Sequence, residues 1–340
     1  MNSFGKNFRL TIFGESHGAS VGITIDGCPA GLSLSIADFE TDIERRKGGI
    51  QKGTTPRKED DIPIFLSGVF NGKTTGSPLT IIFENNNTRS ADYEKQRNVP
   101  RPGHADFVAS KKFGGYEDYR GGGHFSGRLT VCLVAAGVIA KKILASTQQE
   151  KNTIICNATI LEVGGEKDIE AGLQKAIDAK DSIGGIVECR ADGLPIGLGE
   201  PFFDSVESLI SHAVFAIPAI KGIEFGAGFS AARMKGSDHN DALENTSGKT
   251  LTNHAGGIAG GLTNGNQLVF RVVVKPTSST PKEQQTLNIE SGTMESFSVT
   301  GRHDLCIALR VPVVLEAVTA CVLVDLLMME QKIKRIIDNR

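Results

Sequence analysis

The 340-residue sequence predicts an α+β fold in which antiparallel sheets pack against helices. Three observations lead there. Short strand-like runs come in pairs joined by glycine-bounded turns, a pattern of hairpins more than of repeated βαβ units. Two strongly apolar stretches, residues 127–144 and 311–329, have the length of core helices. No linker rich in proline or serine breaks the chain, so one large domain over residues 1–340 is expected.

Residues 8–13 and 19–26 read as the first two strands, joined by the polar turn Gly14-Glu15-Ser16-His17-Gly18. Residues 35–46 read as a helix, with Ser35 or Asp38 placed to cap it and Ile36, Phe39 and Ile43 at helical spacing. After a polar loop over 47–61, strands are expected at 62–70 and 79–84, with Gly72-Lys73-Thr74-Thr75-Gly76 turning between them. Residues 85–123 are long, polar and poorly periodic. A loop of that size inside a compact domain is usually functional.

Residues 127–144 then form an apolar helix whose Ala135, Ala136 and Gly137 permit close packing. Strand, helix and strand follow at 153–163, 168–180 and 185–190, a helix at 204–215 and an apolar strand at 267–274. The stretch 311–329 is interrupted by Glu316 and Asp325. It reads as a buried helix, because a membrane span needs about 20 apolar residues with few or no charges.

Composition narrows the function. Of 340 residues 40 are glycine, about 12% against a usual ~7%. They cluster instead of recurring at every third position, which excludes collagen. Apolar residues make up 39% and the net charge is -2, so the chain is neither disordered nor a basic nucleic-acid binder. The six cysteines form no CxxC pair and most lie in apolar runs, which reads as buried free thiols in a reducing compartment, with no metal site. Residues 1–20 lack the apolar segment of a secretory signal, so a cytoplasmic location is expected.

The common phosphate and nucleophile motifs are missing: GxxxxGK[ST], a strand-to-helix GxGxxG, HExxH and GxSxG. In their place stand glycine-flanked clusters built on histidine or cations. They are Gly14 to Gly18; Glu44-Arg45-Arg46-Lys47-Gly48-Gly49, continuing to Lys52, Arg57 and Lys58; Arg101-Pro102-Gly103-His104-Ala105-Asp106; Gly121-Gly122-Gly123-His124-Phe125-Ser126-Gly127-Arg128; and Gly301-Arg302-His303-Asp304. Glycine lets backbone approach a ligand, histidine moves protons at neutral pH, and arginine offers a planar fork to carboxylate and phosphate. The set suits a small polyanion whose reaction needs proton transfer. His212, on an apolar helix, and His239, in a polar loop, read as ordinary structural residues. The pairs Gly256-Gly257 and Gly260-Gly261 read equally as bends or as ligand-facing turns.

Together these segments resemble the chorismate synthase family over essentially the whole chain. The specific matches are Phe13-Gly-Glu-Ser-His-Gly18, Arg101-Pro-Gly-His-Ala-Asp106, Asp118-Tyr-Arg-Gly-Gly-Gly123 and Gly301-Arg-His-Asp304, supported by Lys275-Pro-Thr277 and His254-Ala-Gly-Gly257. The resemblance implies a β-α-β sandwich, a homotetramer and a carbon–oxygen lyase. Its reaction is the 1,4-elimination of phosphate from 5-enolpyruvylshikimate 3-phosphate, using reduced FMN with no net redox change. It also implies roles by position. His17 corresponds to the acid that protonates the leaving phosphate, His104 to the histidine beside the reduced flavin, and Asp304 to the aspartate that works with flavin N5. Ser16, Arg45, Arg46, Arg101 and Arg128 correspond to substrate contacts, and Arg46 and Lys52 to NADP contacts.

Flavin contacts correspond to His124, Phe125, Ser126, Pro218, Ala219, Gly260, Lys275, Pro276, Thr277, Ser278, Ser279 and Arg302. The sequence departs from the family at His124 and Phe125, where arginine and serine are common, and at Lys52, where arginine is common. A titratable group thus replaces a fixed cation at a flavin contact. The chain is short for the family, so an external flavin reductase is expected, with NADPH as the electron source behind it. Two other classes compete: a flavin oxidoreductase using NADPH in the same pocket, and a non-catalytic module binding polyanions such as RNA. The net charge of -2 and the lack of an aromatic–basic stacking surface weigh against the last.

Overall fold

The computed structural model describes residues 1–49, 52–55, 59–87, 93, 97–146, 153–299 and 303–333. The chain opens with β1 (Ser3–Phe4), β2 (Arg9–Gly14) and β3 (Ser20–Asp26), followed by helix α1 (Ala37–Arg46). Next come β4 (Ile64–Ser67), the small hairpin β5 (Val69–Phe70) and β6 (Lys73–Thr74), and β7 (Leu79–Glu84). Helices α2 (Asp106–Phe113) and α3 (Thr130–Ser146) lead to β8 (Ile155–Val163), α4 (Ile169–Ala179) and β9 (Gly185–Asp192). Then follow α5 (Val206–Val214), β10 (Ile220–Phe225), the short α6 (Gly236–His239) and the hairpin β11 (Ile258–Ala259) with β12 (Leu262–Thr263). β13 (Leu268–Val274), β14 (Gln284–Leu287), β15 (Met294–Phe297) and α7 (Val311–Met329) complete the order.

Two antiparallel sheets, ordered β1-β2-β3-β7-β4 and β10-β13-β9-β8, enclose a helical layer. α3 lies against β3 and β7 of the first sheet, α7 lies against β8 and β9 of the second, and the two helices pack on each other. This is the expected α+β arrangement of antiparallel sheets packed with helices. The strands alternate as half-buried strands should: Val21, Ile23 and Ile25 of β3 and Leu79, Ile81 and Phe83 of β7 all point into the core. α3 and α7 are buried nearly all round, as helices between two sheets must be. Their close approach needs a small residue, since a Cβ on Gly137 would sit 2.2 Å from the Cβ of Ala317. Two helical stretches, Arg120–Ser146 and Ile307–Met329, are long and apolar enough to cross a membrane, but they are 72% and 89% buried within the fold.

Several expectations need correction. Neither Ser35 nor Asp38 caps α1 from its N-cap position. Instead the Asp38 carboxylate accepts from the Ser35 backbone N–H and hydroxyl, 2.7 and 3.1 Å away, and closes the turn before the helix. The strand expected at 62–70 is split at Gly68, whose left-handed backbone lies against Leu79. The supposed loop 85–123 contains α2. β1 and the β14–β15 hairpin carry too few apolar positions to announce themselves, and β10, with Ile220, Ile223 and Phe225, breaks the strict alternation of a half-buried strand. All six cysteines are buried free thiols, and burial pushes Cys28, Cys132 and Cys156 up to about 12.

The polar groups buried in the helical layer are paired. Glu316 of α7 takes both ends of the Arg45 guanidinium at 2.7 Å, Lys141 at 2.9 Å and the Ala158 N–H at 3.0 Å. Burial alone would raise its carboxyl, but the hydrogen bond from Arg45 and the charge of Lys141 outweigh it and hold it below the usual range. Asp325, nearer the C-terminus of α7, accepts the backbone N–H groups of Lys6, Asn7 and Phe8 at 2.9, 2.7 and 2.8 Å. That clamp fixes the N-terminal segment, whose residues Met1 to Phe4 form part of the wall of a large cavity.

Candidate active site

The cavity measures about 660 Å³ and is lined from many parts of the chain: the N-terminal strands, the end of α1 and the loop after it, the loop before α2, the glycine-rich turn before α3 and the start of α3, the α5–β10 corner, the loop after β13, and α7 with the segment before it. Its size falls in the usual range for small-molecule sites. One part of the wall is apolar, with Leu10, Ile12, Leu133, Val314 and Val318. The remainder carries Arg46, Arg101, Arg128, Lys275 and Arg310, together with His104, His124, His212, His303 and Asp304.

Arg46 and Arg128 meet on one carboxylate. Arg46 Nη1 donates to Asp61 Oδ2 at 3.1 Å, and Arg128 Nη1 donates to Asp61 Oδ1. Arg46 is completed by Thr130 Oγ1 and the carbonyls of Gly127 and Arg128, and Arg128 by Asn85 Oδ1 and the Glu84 carbonyl. Burial and then the charge of Arg310 pull Arg46 down to about 9, which leaves it cationic at neutral pH. Asp61 holds a left-handed backbone at φ 52°, and Ala219, also on the wall, one at φ 74°. Non-glycine residues rarely adopt that region, at a cost of order 1–3 kcal/mol each, and such strain concentrates at functional sites.

A second cluster joins the loop before α2 to the loop after β13. Asp106 binds Arg101 at two points, Nε to Oδ2 and Nη2 to Oδ1, both 2.8 Å, and its Oδ1 lies 2.5 Å from His104 Nδ1. Arg101 Nη1 donates to Ser279 Oγ at 3.1 Å, and Lys275 Nζ to Ser278 Oγ at 2.7 Å. Burial would raise Asp106, but its bonds to Arg101 and His104 prevail and hold it well below the usual carboxylate range. Burial, with Lys221 nearby, lowers Lys275.

Asp304 accepts the Thr55 N–H at Oδ1 and Arg310 Nη1 at Oδ2, each 2.9 Å away, and Arg310 Nε donates to the Arg46 carbonyl at 2.7 Å. His124 Nδ1 donates to the Gly14 carbonyl at 2.8 Å, which leaves its Nε2 for other partners.

Ser16 and His17 are buried directly behind the wall at Gly121. That residue has φ 60°, and a Cβ there would come within 2.6 Å of His17 Nε2 and 3.0 Å of Ser16 Oγ. Among the described residues the Ser16 hydroxyl has no hydrogen-bond partner, although it is fully buried. The His17 ring meets Tyr93 edge-on at 5.1 Å.

Of the residues expected at a site, the cavity wall thus gathers Arg46, Arg101, His104, His124, Phe125, Ser126, Arg128, Pro218, Ala219, Lys275, Thr277, Ser278, Ser279 and Asp304. It does not gather Arg45, held by Glu316; Lys52, whose Nζ donates to Gln174 at 2.8 Å; Gly260, on the β11–β12 turn; or Pro276. Arg302 lies outside the described residues, as do Arg57 and Lys58. Sequence reasoning missed Asp61, Asp106 as a partner, His212 and Arg310. For Arg46 a signal was present: Phe39, Ile43 and Arg46 share one helical face, and all three are buried.

An α+β fold whose large cavity sets converging cations and histidines beside an apolar wall has the features of an enzyme site for a small molecule. Comparison with known proteins makes this particular. The profile of the chorismate synthase family matches residues 8–328. The chorismate synthase of Chitinophaga pinensis is 70% identical over 339 residues, covering 100% of both chains. That of Dehalococcoides mccartyi is 43% identical over 360 aligned positions, covering 99% of each. A solved structure titled as a chorismate synthase crystal structure superposes with a TM-score of 0.72 at 25% identity, covering 96% of this chain and 93% of that one. The chain belongs to the chorismate synthase family, and it is an enzyme of that lyase class.

Proposed function

We propose that the cavity converts 5-enolpyruvylshikimate 3-phosphate to chorismate by 1,4-elimination of phosphate, with reduced FMN as cofactor. One observation supports this most: Arg46, Arg101, Arg128, Lys275 and Arg310 face the same space as His104 and Asp304. The substrate carries two carboxylates and a phosphate, and such a cluster lowers the free energy of charge growing on the leaving phosphate. The flavin fits the observed donors. Lys275, Ser278 and Ser279 suit its phosphate tail, and Pro218, Ala219 and the apolar wall suit a planar ring. When bound, reduced FMN supplies electron density as phosphate leaves and recovers it as the proton is lost.

The remaining work belongs to the chain. His17, behind Gly121, gives a proton to the departing phosphate, and Ser16 offers its unpartnered hydroxyl to the same ligand. His104 sets protonation near the flavin. Asp304, steadied by Thr55 and Arg310, takes part in accepting the substrate proton. In this reading residues 1–340 act as one catalytic unit within a cytoplasmic homotetramer, and an external reductase supplies the reduced flavin. Of the two residues matched to NADP contacts, Arg46 lies on the cavity wall and Lys52 lies off it, with its Nζ donating to Gln174 at 2.8 Å.

The test is turnover of His17→Ala and His104→Ala under anaerobic conditions with reduced FMN. General acid–base groups contribute roughly 10²- to 10⁴-fold, so each variant should lose at least ~10²-fold while unfolding at nearly the wild-type temperature. Two variants with wild-type turnover would overturn the acid–base assignment.

A further inference from the structure

We propose that Asp106 is a positioning residue: it fixes the tautomer of His104 with the proton on Nδ1, so that Nε2 is the nitrogen offered to a ligand. The functional meaning of that placement rests on the reading of the site given above, but the placement itself does not.

The argument is geometric. Asp106 Oδ1 lies 2.5 Å from His104 Nδ1. A carboxylate cannot face the lone pair of an imidazole nitrogen at that distance, so one of the two atoms must carry a proton. Asp106 also accepts Arg101 Nε and Nη2 at 2.8 Å and the Arg101 backbone N–H at 3.1 Å. A group receiving that many donors is ionised. Its depressed carboxyl agrees, since a protonated Asp106 would lose the Arg101 pairing. The proton therefore sits on Nδ1. Arg101 Nη2, 3.0 Å from the same nitrogen, cannot bond to it and shares Asp106 Oδ1 instead.

The free edge of the ring is also kept clear. A Cβ on Gly122 would come within 3.2 Å of His104 Cε1 and 3.4 Å of Nε2, so the glycine leaves space there that a side chain would take. The same carboxylate orients Arg101. Of five guanidinium N–H groups, two go to Asp106 and one to Ser279, which leaves one on each terminal nitrogen for an anion. One partly buried carboxylate thereby aligns a proton-transfer group and an anion-binding group.

The experiment is ¹⁵N NMR of the full-length protein with labelled histidine, with His104 identified by the signal lost in His104→Gln. In wild type, at a pH where the ring is neutral, Nδ1 should show the shift of a protonated nitrogen and Nε2 that of a bare one. A reversed pattern in wild type overturns the proposal without any variant having to fold. In Asp106→Ala the tie to Nδ1 is gone, and the ring should move toward the Nε2–H form that free imidazole prefers. A folded variant with the wild-type pattern also overturns it. In turnover, Asp106→Ala should lower kcat at least ~10-fold, as loss of a residue orienting a functional histidine commonly does. Asp106→Glu should restore the Nδ1–H pattern and part of kcat. If wild type lacks turnover yet shows the Nδ1–H pattern, the reaction fails while the positioning stands.

Discussion

Asp61→Asn isolates the electrostatics of the cavity. Asp61 is 1% exposed, and the two arginine side chains it joins, Arg46 and Arg128, are 3% and 4% exposed. Asparagine keeps the shape and one acceptor oxygen but removes the charge that two buried guanidinium groups share. Removing one partner of a buried ion pair costs about 3–5 kcal/mol, because the charge left behind is uncompensated. With an unfolding entropy of roughly 2.1 cal/mol/K per residue over 340 residues, that cost lowers Tm by about 4–7 °C. The loss should be conditional. An anion entering the cavity replaces the missing charge, so inorganic phosphate should raise the Tm of Asp61→Asn more than that of wild type and bind it more tightly. The assays are thermal unfolding across a phosphate titration and isothermal calorimetry. A Tm within about 1 °C of wild type, with an unchanged phosphate affinity, would refute the claim that Arg46 and Arg128 form an anion site balanced by Asp61.

Further expectations concern other parts of the structure. Gly121→Ala places a Cβ within 2.6 Å of His17 and requires a side chain at φ 60°, so it should cut turnover severely with a smaller loss of stability. Wild-type kinetics for a folded variant would show that His17 does not act from behind that turn. Glu316 has its carboxyl depressed in the folded state, so its stabilisation is present above the unfolded carboxyl range and is lost as pH falls through the folded value. Glu316→Gln should therefore flatten the fall in unfolding free energy on the acid side of pH 5, and equal slopes for the two proteins would contradict the Arg45–Glu316–Lys141 network.

Much of this was legible in the sequence, and the gaps have physical causes. α7 is apolar enough to be read directly, and two of the glycine-flanked histidines, His104 and His124, line the cavity. α2 was missed because its apolar residues make no clear stripe: of Phe107, Val108 and Ala109 only the last is buried. Arg45 and Arg46 are neighbours in sequence yet about 100° apart around α1. One turns to the cavity and the other to Glu316, and only the Phe39–Ile43–Arg46 stripe distinguished them. Asp61 pairs with the distant Arg128, and Arg310 reaches the distant Arg46 carbonyl as well as nearby Asp304, and no local pattern announces such pairings. His212 was read as an ordinary helix residue, but it lines the cavity with its ring edge-on to Phe4 at 5.3 Å.

The central claim is tested most directly by stoichiometry. The protein, FMN reduced with dithionite and 5-enolpyruvylshikimate 3-phosphate are combined without oxygen, and chorismate, phosphate and the flavin spectrum are followed together. Chorismate and phosphate should appear in equal amounts over many turnovers, with the flavin still reduced at the end. Folded, flavin-loaded protein that yields no chorismate, or that oxidises one flavin for each product formed, would contradict the account.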